Sequence, residues 1–134
     1  MEQKQIEVKQ ISEREIQVGE NRVYLGEDNI IFFTAVGEHS DKMAAKINEA
    51  IIKLGDTVKG KVNLFVDLSK AGKSSPEARK IWQKSSEYEK AGKTALVGLH
   101  PVARVLASFV MGVSRKQDMR FFKTKEEALA WLKE

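Results

Sequence analysis

Hydrophobic residues follow two different periods along the chain, and the change between them divides it into elements. Up to residue 36, short β-rich runs are separated by turn residues at 19–21 and 26–29, which is the pattern of an antiparallel meander. One or two exposed strands are expected in residues 5–18, followed by the strand RVYL. The run at residues 30–36 is apolar on both faces, so it is expected at the centre of the sheet.

After Gly37 the apolar residues recur at helical spacing. The first helix is predicted to begin behind a Ser40 cap and to end near Gly55. Residues 62–68 then predict a buried strand of the kind found in parallel sheets. The remaining predicted elements are a second helix at 76–90, a strand at 94–99, a third helix opening at Pro101, a short strand at 120–122, and a final helix with Thr124 and Glu127 as its capping box.

This order of elements predicts one α/β domain over residues 1–134, with residues 1–13 at its periphery. The sheet is expected to be mixed, with an N-terminal antiparallel meander followed by β-α units and about four helices. We expect the strand-to-helix connections to lie at one edge of that sheet.

Composition and charge exclude several classes of function. The chain has no cysteine and two histidines, His39 and His100, which excludes thiolate chemistry and argues against a metal site; no cofactor is predicted. No apolar run could span a bilayer, so we expect a cytoplasmic protein without stable membrane insertion. The net charge is only +4, from 23 basic and 19 acidic residues spread along the chain, so nucleic acid is not an expected partner.

Acid–base catalysis is not predicted either. Asp67, at the end of a buried strand, is the best candidate for an acid or base. Neither a histidine nor a second acid has a spacing that ties it to a nucleophile. We therefore predict no catalytic residue and a function other than that of an enzyme.

The stretch from Leu64 to Lys80 (LFVDLSKAGKSSPEARK) holds the most informative local pattern, a Gly-Lys-Ser-Ser turn between strand and helix. Its residues 72–74 match the end of the phosphate-binding pattern G-x-x-x-x-G-K-[ST]. The first glycine of that pattern is replaced by Asp67, whose carboxylate would repel phosphate, and Pro76 removes an N–H donor from the helix start. A second match at residues 92–94 leads from helix to strand, which is the wrong context. A nucleotide-hydrolysing loop is therefore disfavoured.

The simplest interpretation of the same turn is a helix cap. Ser75 would cap the second helix with Pro76 at its first position, or Ser74 would form a capping box with Glu77. Either arrangement satisfies backbone donors and stabilises the helix by about 1 kcal/mol. Neither requires a function.

Two candidate binding regions lie nearby. Lys73, His100 and Arg104 could line a small anion site, because helix N-termini at the carboxyl ends of parallel strands present N–H groups there. On the third predicted helix, Arg104, Ala107, Ser108 and Met111 project away from the core-facing side. Such a small-residue face suits a partner helix or an apolar ligand. Solvated residues at a helix end and ordinary packing are nevertheless the favoured explanations of the two regions.

The order of motifs resembles the STAS domain superfamily. The match consists of VDLS, a short loop, a Ser-Ser pair opening a helix, a buried strand, an apolar helix and the closing RFF and EEALAWL, and it covers the chain from about Ile16 onward. It is more closely similar to the SpoIIAA-like branch, which is grouped with lipid-binding CRAL-TRIO domains. The resemblance implies a SpoIIAA-like fold.

The resemblance also implies a function. In anti-sigma factor antagonists of this family the corresponding loop typically reads Asp-Ser-Ser-Gly, and a partner kinase phosphorylates one serine to release the partner. Ser74 or Ser75 falls at that place, with Lys73 instead of the acidic residue and Pro76 instead of the glycine. We therefore predict a regulatory or binding module that acts on a protein partner or a small apolar or anionic ligand. A carrier of a lipid is the alternative, and a homodimer stays open.

Overall fold

The computed structural model describes residues 6–85, 87–98, 100 and 118–134. These residues form one seven-stranded sheet in which the spatial order of the strands is their order in the chain. The strands are β1 (Val8–Ser12), β2 (Glu15–Val18), β3 (Asn21–Leu25), β4 (Ile30–His39), β5 (Val62–Ser74), β6 (Ala91–Val97) and β7 (Met119–Phe121).

The sheet is mixed, as the two hydrophobic periods predict. The pairs β1–β2, β2–β3 and β3–β4 are antiparallel. The pairs β4–β5, β5–β6 and β6–β7 are parallel. β4 is therefore the strand at which the meander meets the parallel half. It contributes buried residues to both faces of the sheet: Ile31, Phe33 and Ala35 to one face and Ile30 to the other.

Three α-helices lie within the described residues: α1 (Asp41–Gly55), α2 (Pro76–Ser85) and α3 (Lys125–Leu132). The N-caps predicted for α1 and α3 are both present. The Ser40 Oγ accepts a hydrogen bond from the Met43 N–H at 3.2 Å, and the Thr124 Oγ accepts one from the Glu127 N–H at 3.2 Å. These bonds satisfy backbone donors that the first helical turn leaves unpaired.

The sheet separates two hydrophobic cores. The larger core joins the β2–β5 side chains of one face to α1, and Trp82 of α2 packs against it. The smaller core lies on the opposite face, where Trp131 and Leu132 of α3 cover β5 and β6. Asn63 fastens α3 to the sheet, because its Nδ2 donates to the Leu132 carbonyl at 2.9 Å while its Oδ1 accepts from the Lys93 N–H at 2.8 Å.

Several predicted bounds need correction. α2 ends at Ser85 rather than at Lys90. The Ser85 Oγ donates a hydrogen bond to the Trp82 carbonyl, and this bond competes with the backbone hydrogen bonds of a continuing helix. β6 runs three residues earlier than predicted and stops at Val97, because Gly98 turns the chain with a φ of 77°. The predicted third helix, opening at Pro101, lies outside the described residues.

The predicted Gly-Lys-Ser turn is wrong, because β5 continues through residues 72–74 to Ser74. β4 also runs past Gly37, and the two strands stay paired out to His39 and Ser74 across two irregularities in the register. Gly72 permits this close approach. A Cβ at this position would lie 3.0 Å from the carbonyl carbon of Gly37 and 3.1 Å from the Glu38 nitrogen, so the glycine serves strand packing rather than phosphate binding.

We expect Gly72→Ala to lower the free energy of unfolding by about 1–3 kcal/mol, because its methyl group would force the β4 backbone away. The measurement is urea denaturation followed by far-UV circular dichroism. Lys73→Ala in the next position is the control, since Lys73 is exposed and its truncation should change stability by less than about 0.5 kcal/mol. Equal stabilities of the two variants would contradict the close approach.

Candidate functional site

The chain brings both predicted serines to the place where β4 and β5 end together. We call this region the β4–β5 terminus; it consists of His39, Lys73, Ser74, Ser75 and Arg79. The Ser75 N–H donates to the His39 carbonyl at 3.0 Å, which ties the start of α2 to the end of β4. The connections from β4 to α1 and from β5 to α2 leave the sheet at this same edge, as expected.

Ser75 is the N-cap of α2. Its Oγ accepts a hydrogen bond from the Ala78 N–H at 3.0 Å, and its carbonyl accepts one from the Arg79 N–H at 3.0 Å. Pro76 occupies the first helical position, where no N–H is needed. The structure thus confirms Ser75 as the cap, and the residue is half-buried rather than enclosed.

Ser74 is placed differently. Its Oγ is buried and has no hydrogen-bond partner, so the alternative capping box between Ser74 and Glu77 is not formed. A buried hydroxyl without a partner costs roughly 1–3 kcal/mol. The Ser74 carbonyl accepts from the Arg79 Nε at 3.4 Å.

The basic residues at this terminus are Lys73 and Arg79. Lys73 lies on the exposed end of β5, and Arg79 lies one turn into α2, where it is half-buried. The guanidinium of Arg79 is held against the strand end by its bond to Ser74. Glu77, also in the first turn of α2, is exposed, so both signs of charge surround Ser75.

A buried polar network supports the terminus from below, and the sequence did not reveal it. Asn21, which was predicted to lie in a turn, is the first residue of β3 and is fully buried. Its Oδ1 accepts from the Val36 N–H at 2.7 Å, and its Nδ2 donates to the Val18 carbonyl at 3.0 Å. The His39 Nε2 lies 3.0 Å from the same Oδ1. Asn21 therefore links β2, β3 and the end of β4.

These contacts fix the state of His39. Because the amide oxygen of Asn21 can only accept, the His39 Nε2 carries the hydrogen of that bond. His39 is 5% exposed, and its imidazole packs beside the rings of Phe33 and Trp82, with centroids 6.2 Å and 6.0 Å away. Burial lowers the pKa of His39 to about 4, because an apolar environment disfavours the charged form.

Of the other predicted site residues, only Lys73 and His100 belong to the described part of the chain. No hydrogen bond or ion pair joins Lys73 to His100, and β5 extends well beyond Asp67, the last β5 residue paired with β6. Arg104, Ala107, Ser108 and Met111 lie outside the described residues. The Asp67 Oδ1 accepts from the Ser69 N–H at 2.9 Å, so this carboxylate shapes the backbone locally.

A cavity of about 130 Å³ lies between the sheet and the α1–α2 layer. Its lining from the described residues is mainly apolar. It includes His39 of the β4–β5 terminus and Trp82 of α2 at one end, and Asn63, Lys93 and Met119 of β5, β6 and β7. Pockets for drug-sized molecules are usually about 300–1,000 Å³. The cavity lined by the described residues is smaller than this range.

Two features are absent from the described part of the chain. No group of three or more histidine, aspartate or glutamate side chains there is arranged to hold a metal ion. None of its helices is long and apolar enough to cross a membrane.

Comparison with protein families decides the classification. The family model described as SpoIIAA-like matches residues 30–133. The chain belongs to the SpoIIAA-like family. The match starts at the first residue of β4 and includes the whole β4–β5 terminus, so the predicted relationship is confirmed. A search of curated proteins finds no match.

Solved structures show the same SpoIIAA-like fold. An uncharacterized protein from Shewanella loihica has a TM-score of 0.62 at 15% identity, with 98% of each chain covered. A serine-to-glutamate variant of RsbS from Moorella thermoacetica has a TM-score of 0.58 at 19% identity, covering 85% of this chain and 95% of that one. The anti-sigma factor antagonist SpoIIAA in its unphosphorylated form has a TM-score of 0.51 at 17% identity, covering 83% and 96%.

The state of His39 predicts a pH dependence of stability. The folded-state pKa of about 4 lies below the ordinary 6.5, so the unfolded chain binds a proton between these values that the folded chain does not. The free energy of unfolding should therefore fall as the pH drops from 6.5 towards 4, by up to roughly 3 kcal/mol from this group.

Urea denaturation at several pH values between 7 and 4 measures this effect against a variant without the titrating ring. His39→Phe should lose less stability than the parent protein over that window. His100→Asn, which removes the other, half-exposed histidine, is the control for the loss of a histidine as such. Parallel curves for the parent protein and His39→Phe would refute the buried neutral imidazole.

Removal of the Asn21 side chain tests the network itself. Asn21→Ala leaves the Val36 N–H and the His39 N–H buried without a partner, so we expect a loss of about 2–4 kcal/mol in the free energy of unfolding. Asn48→Ala, at a half-buried position of α1, is the matched control and should cost less than about 1 kcal/mol. A similar loss in both variants would mean that Asn21 only fills space.

Proposed function

We propose that this SpoIIAA-like protein is a non-enzymatic regulatory module that binds a protein partner at the β4–β5 terminus, and that phosphorylation of Ser75 controls the binding. The observation that carries the proposal is the position of the Ser75 hydroxyl at the N-cap of α2, half-buried at the end of the central strand pair. A modification there changes the charge of a rigid surface without requiring the core to open.

Ser75 is a better acceptor than Ser74 on grounds of access. The Ser74 Oγ is buried, so a kinase could reach it only after the end of β5 had separated from its neighbours. The Ser75 hydroxyl makes one bond, to the Ala78 N–H. A phosphate oxygen can accept that same bond, so the helix keeps its cap after modification.

The electrostatics of the terminus favour a phosphate at Ser75. A phosphoserine carries a charge of about −2 at pH 7, and the N-terminus of a helix stabilises negative charge. Lys73 and Arg79 flank the serine. Glu77 lies in the same turn, so a phosphate of about −2 changes the summed charge of these groups from about +1 to about −1. A partner that binds the unmodified surface would have to remove water from the added phosphate, and this cost would weaken binding.

Two relatives support this proposal through what is stated about them. SpoIIAA is an anti-sigma factor antagonist that exists in an unphosphorylated form, and RsbS was solved with a glutamate in place of a serine. The present chain shares their fold and carries its serine pair at the end of the central strand. A predicted partner surface on Arg104, Ala107, Ser108 and Met111 remains a prediction, as does the anion site of Lys73, His100 and Arg104.

The cavity favours the regulatory function over the carrier function. Lipid transport requires a cavity several times larger than about 130 Å³. A core with only a small cavity, together with a modifiable serine at the surface, is the arrangement expected of a regulator. Asp67 supports the non-enzymatic part of the proposal, because its carboxylate is engaged by the Ser69 N–H rather than by a histidine or a second acid.

The test has two parts, the first of which is phosphate mapping. The protein is isolated from its own cells with phosphatase inhibitors, and its intact mass and phosphopeptides are determined. We expect a fraction to carry one phosphate on Ser75. Phosphate on Ser74 without Ser75, or its complete absence under every growth condition sampled, would overturn the proposed switch.

The second part compares partner capture by variants. Ser75→Ala should retain the protein partner captured by the parent chain, whereas Ser75→Glu should reduce its capture at least about tenfold, which corresponds to roughly 1.4 kcal/mol of binding free energy. Ser69→Glu adds the same charge to an exposed position further back on β5 and should bind like the parent. Equal loss in both glutamate variants would show a general charge effect.

A further inference from the structure

β1 is the outermost strand of the sheet, next to β2, and no described strand lies beyond it. All five of its residues are exposed. The two large apolar side chains that are exposed in the described part of the chain both belong to this strand: Val8 is 48% exposed and Ile11 51%. An apolar edge strand is a template for pairing with a further strand.

The hydrogen bonds to β2 show which main-chain groups point outward. The Gly19 N–H donates to the Glu7 carbonyl at 2.8 Å, so Glu7 faces β2 with its polar backbone groups. In an antiparallel pair these groups alternate in direction. Val8, opposite Val18 in the register, therefore directs its N–H and carbonyl away from the sheet, as do Ile6 and Gln10.

An irregularity limits the length of this free edge. The register of β1 with β2 shifts between Gln10 and Ser12, so Ile11 is an extra residue that interrupts the regular alternation. The regular part of the edge is residues 6–10, and Val8 is its central residue.

We propose that two copies of this chain associate through β1, paired antiparallel about a two-fold axis that passes beside Val8. The partner's Val8 then lies opposite Val8, and the backbone groups of Ile6, Val8 and Gln10 find partners. Both sheets join into one. The Val8 side chains meet on the face that carries α1, because Val8 lies opposite the core residue Val18.

Charge selects this register over its neighbours. Pairing about Val8 places Glu7 opposite the partner's Lys9 and Lys9 opposite the partner's Glu7. Pairing about Lys9 would oppose two lysines, and pairing about Glu7 would oppose two glutamates. Opposite charges stabilise directly facing positions and like charges destabilise them. Within one chain the Lys9 Nζ lies 3.4 Å from the Glu7 Oε1, and both side chains are exposed, so they are free to redistribute across the axis.

The association is expected to be weak and dependent on concentration. Residues 6–10 provide a short pairing edge, and interfaces that bury less than about 1,200 Å² are commonly transient. This proposal does not rest on the proposed function, because β1 lies at the far end of the meander from the β4–β5 terminus.

Charge reversal tests the pairing by sedimentation equilibrium at protein concentrations up to about 1 mM. In a dimer of either single variant, Glu7→Lys or Lys9→Glu, positions 7 and 9 that face each other carry like charges. Each substitution should therefore weaken dimerisation about tenfold. The double variant Glu7→Lys with Lys9→Glu should restore it. Glu13→Lys, the same change in the exposed turn after β1, should have no effect. Far-UV circular dichroism checks that each variant is folded.

Cysteine crosslinking tests the register, because the parent chain has no cysteine. Glu7→Cys mixed with Lys9→Cys should form a disulfide-linked heterodimer on mild oxidation, since positions 7 and 9 face each other in a pair whose side chains are close. Either variant oxidised separately should crosslink at least about fivefold less. Equal crosslinking in all three samples would overturn the register.

A parent protein that is monomeric at about 1 mM would overturn the whole proposal. So would a dimer that is unaffected by both single charge reversals. Failure of the serine variants to alter partner capture would leave the dimerisation result standing, so the two proposals can fail separately.

Discussion

The parallel pairing of β4 with β5 is the interaction on which the rest of this structure depends. It joins the antiparallel meander to the β-α half and runs to the end of both strands at His39 and Ser74. The bond from the Ser75 N–H to the His39 carbonyl continues it into the first turn of α2. The cap of that helix, and with it the orientation of the Ser75 hydroxyl, is therefore set by strand pairing rather than by a flexible loop.

Asn21 adds a second constraint from the opposite direction. Burying an amide and an imidazole costs free energy unless their hydrogen bonds are made, and here one oxygen accepts from both Val36 and His39. The cost is offset only when β3 and the end of β4 adopt one relative position. A buried network whose hydrogen bonds are all made specifies one geometry, which suits the partner surface proposed at the β4–β5 terminus.

The fold could be predicted from the periodicity of hydrophobic residues and from local capping and turn patterns. Contacts between residues that are distant in the chain could not. The meander, the parallel strands and the caps at Ser40, Ser75 and Thr124 followed from patterns that depend on neighbouring residues. Asn21 was expected in a turn. Its burial was not predicted, because its partners in β4 are distant in the chain and periodicity carries no information about them. Gly72 was assigned to a turn for a related reason: a glycine before lysine and serine is typical of turns, whereas its contact with Gly37 is visible only once the two strands are side by side.

The sheet has a topological property that bears on how the chain folds. Because its spatial order is the order of the sequence, each new strand can add to an edge that already exists, and none must insert between two strands that are already paired. The hairpins of the meander close over a few residues, so they carry little loop-closure entropy, while each parallel addition requires a longer connection to be ordered first. A chain emerging from the ribosome could therefore build this sheet in the direction of synthesis without undoing any earlier contact.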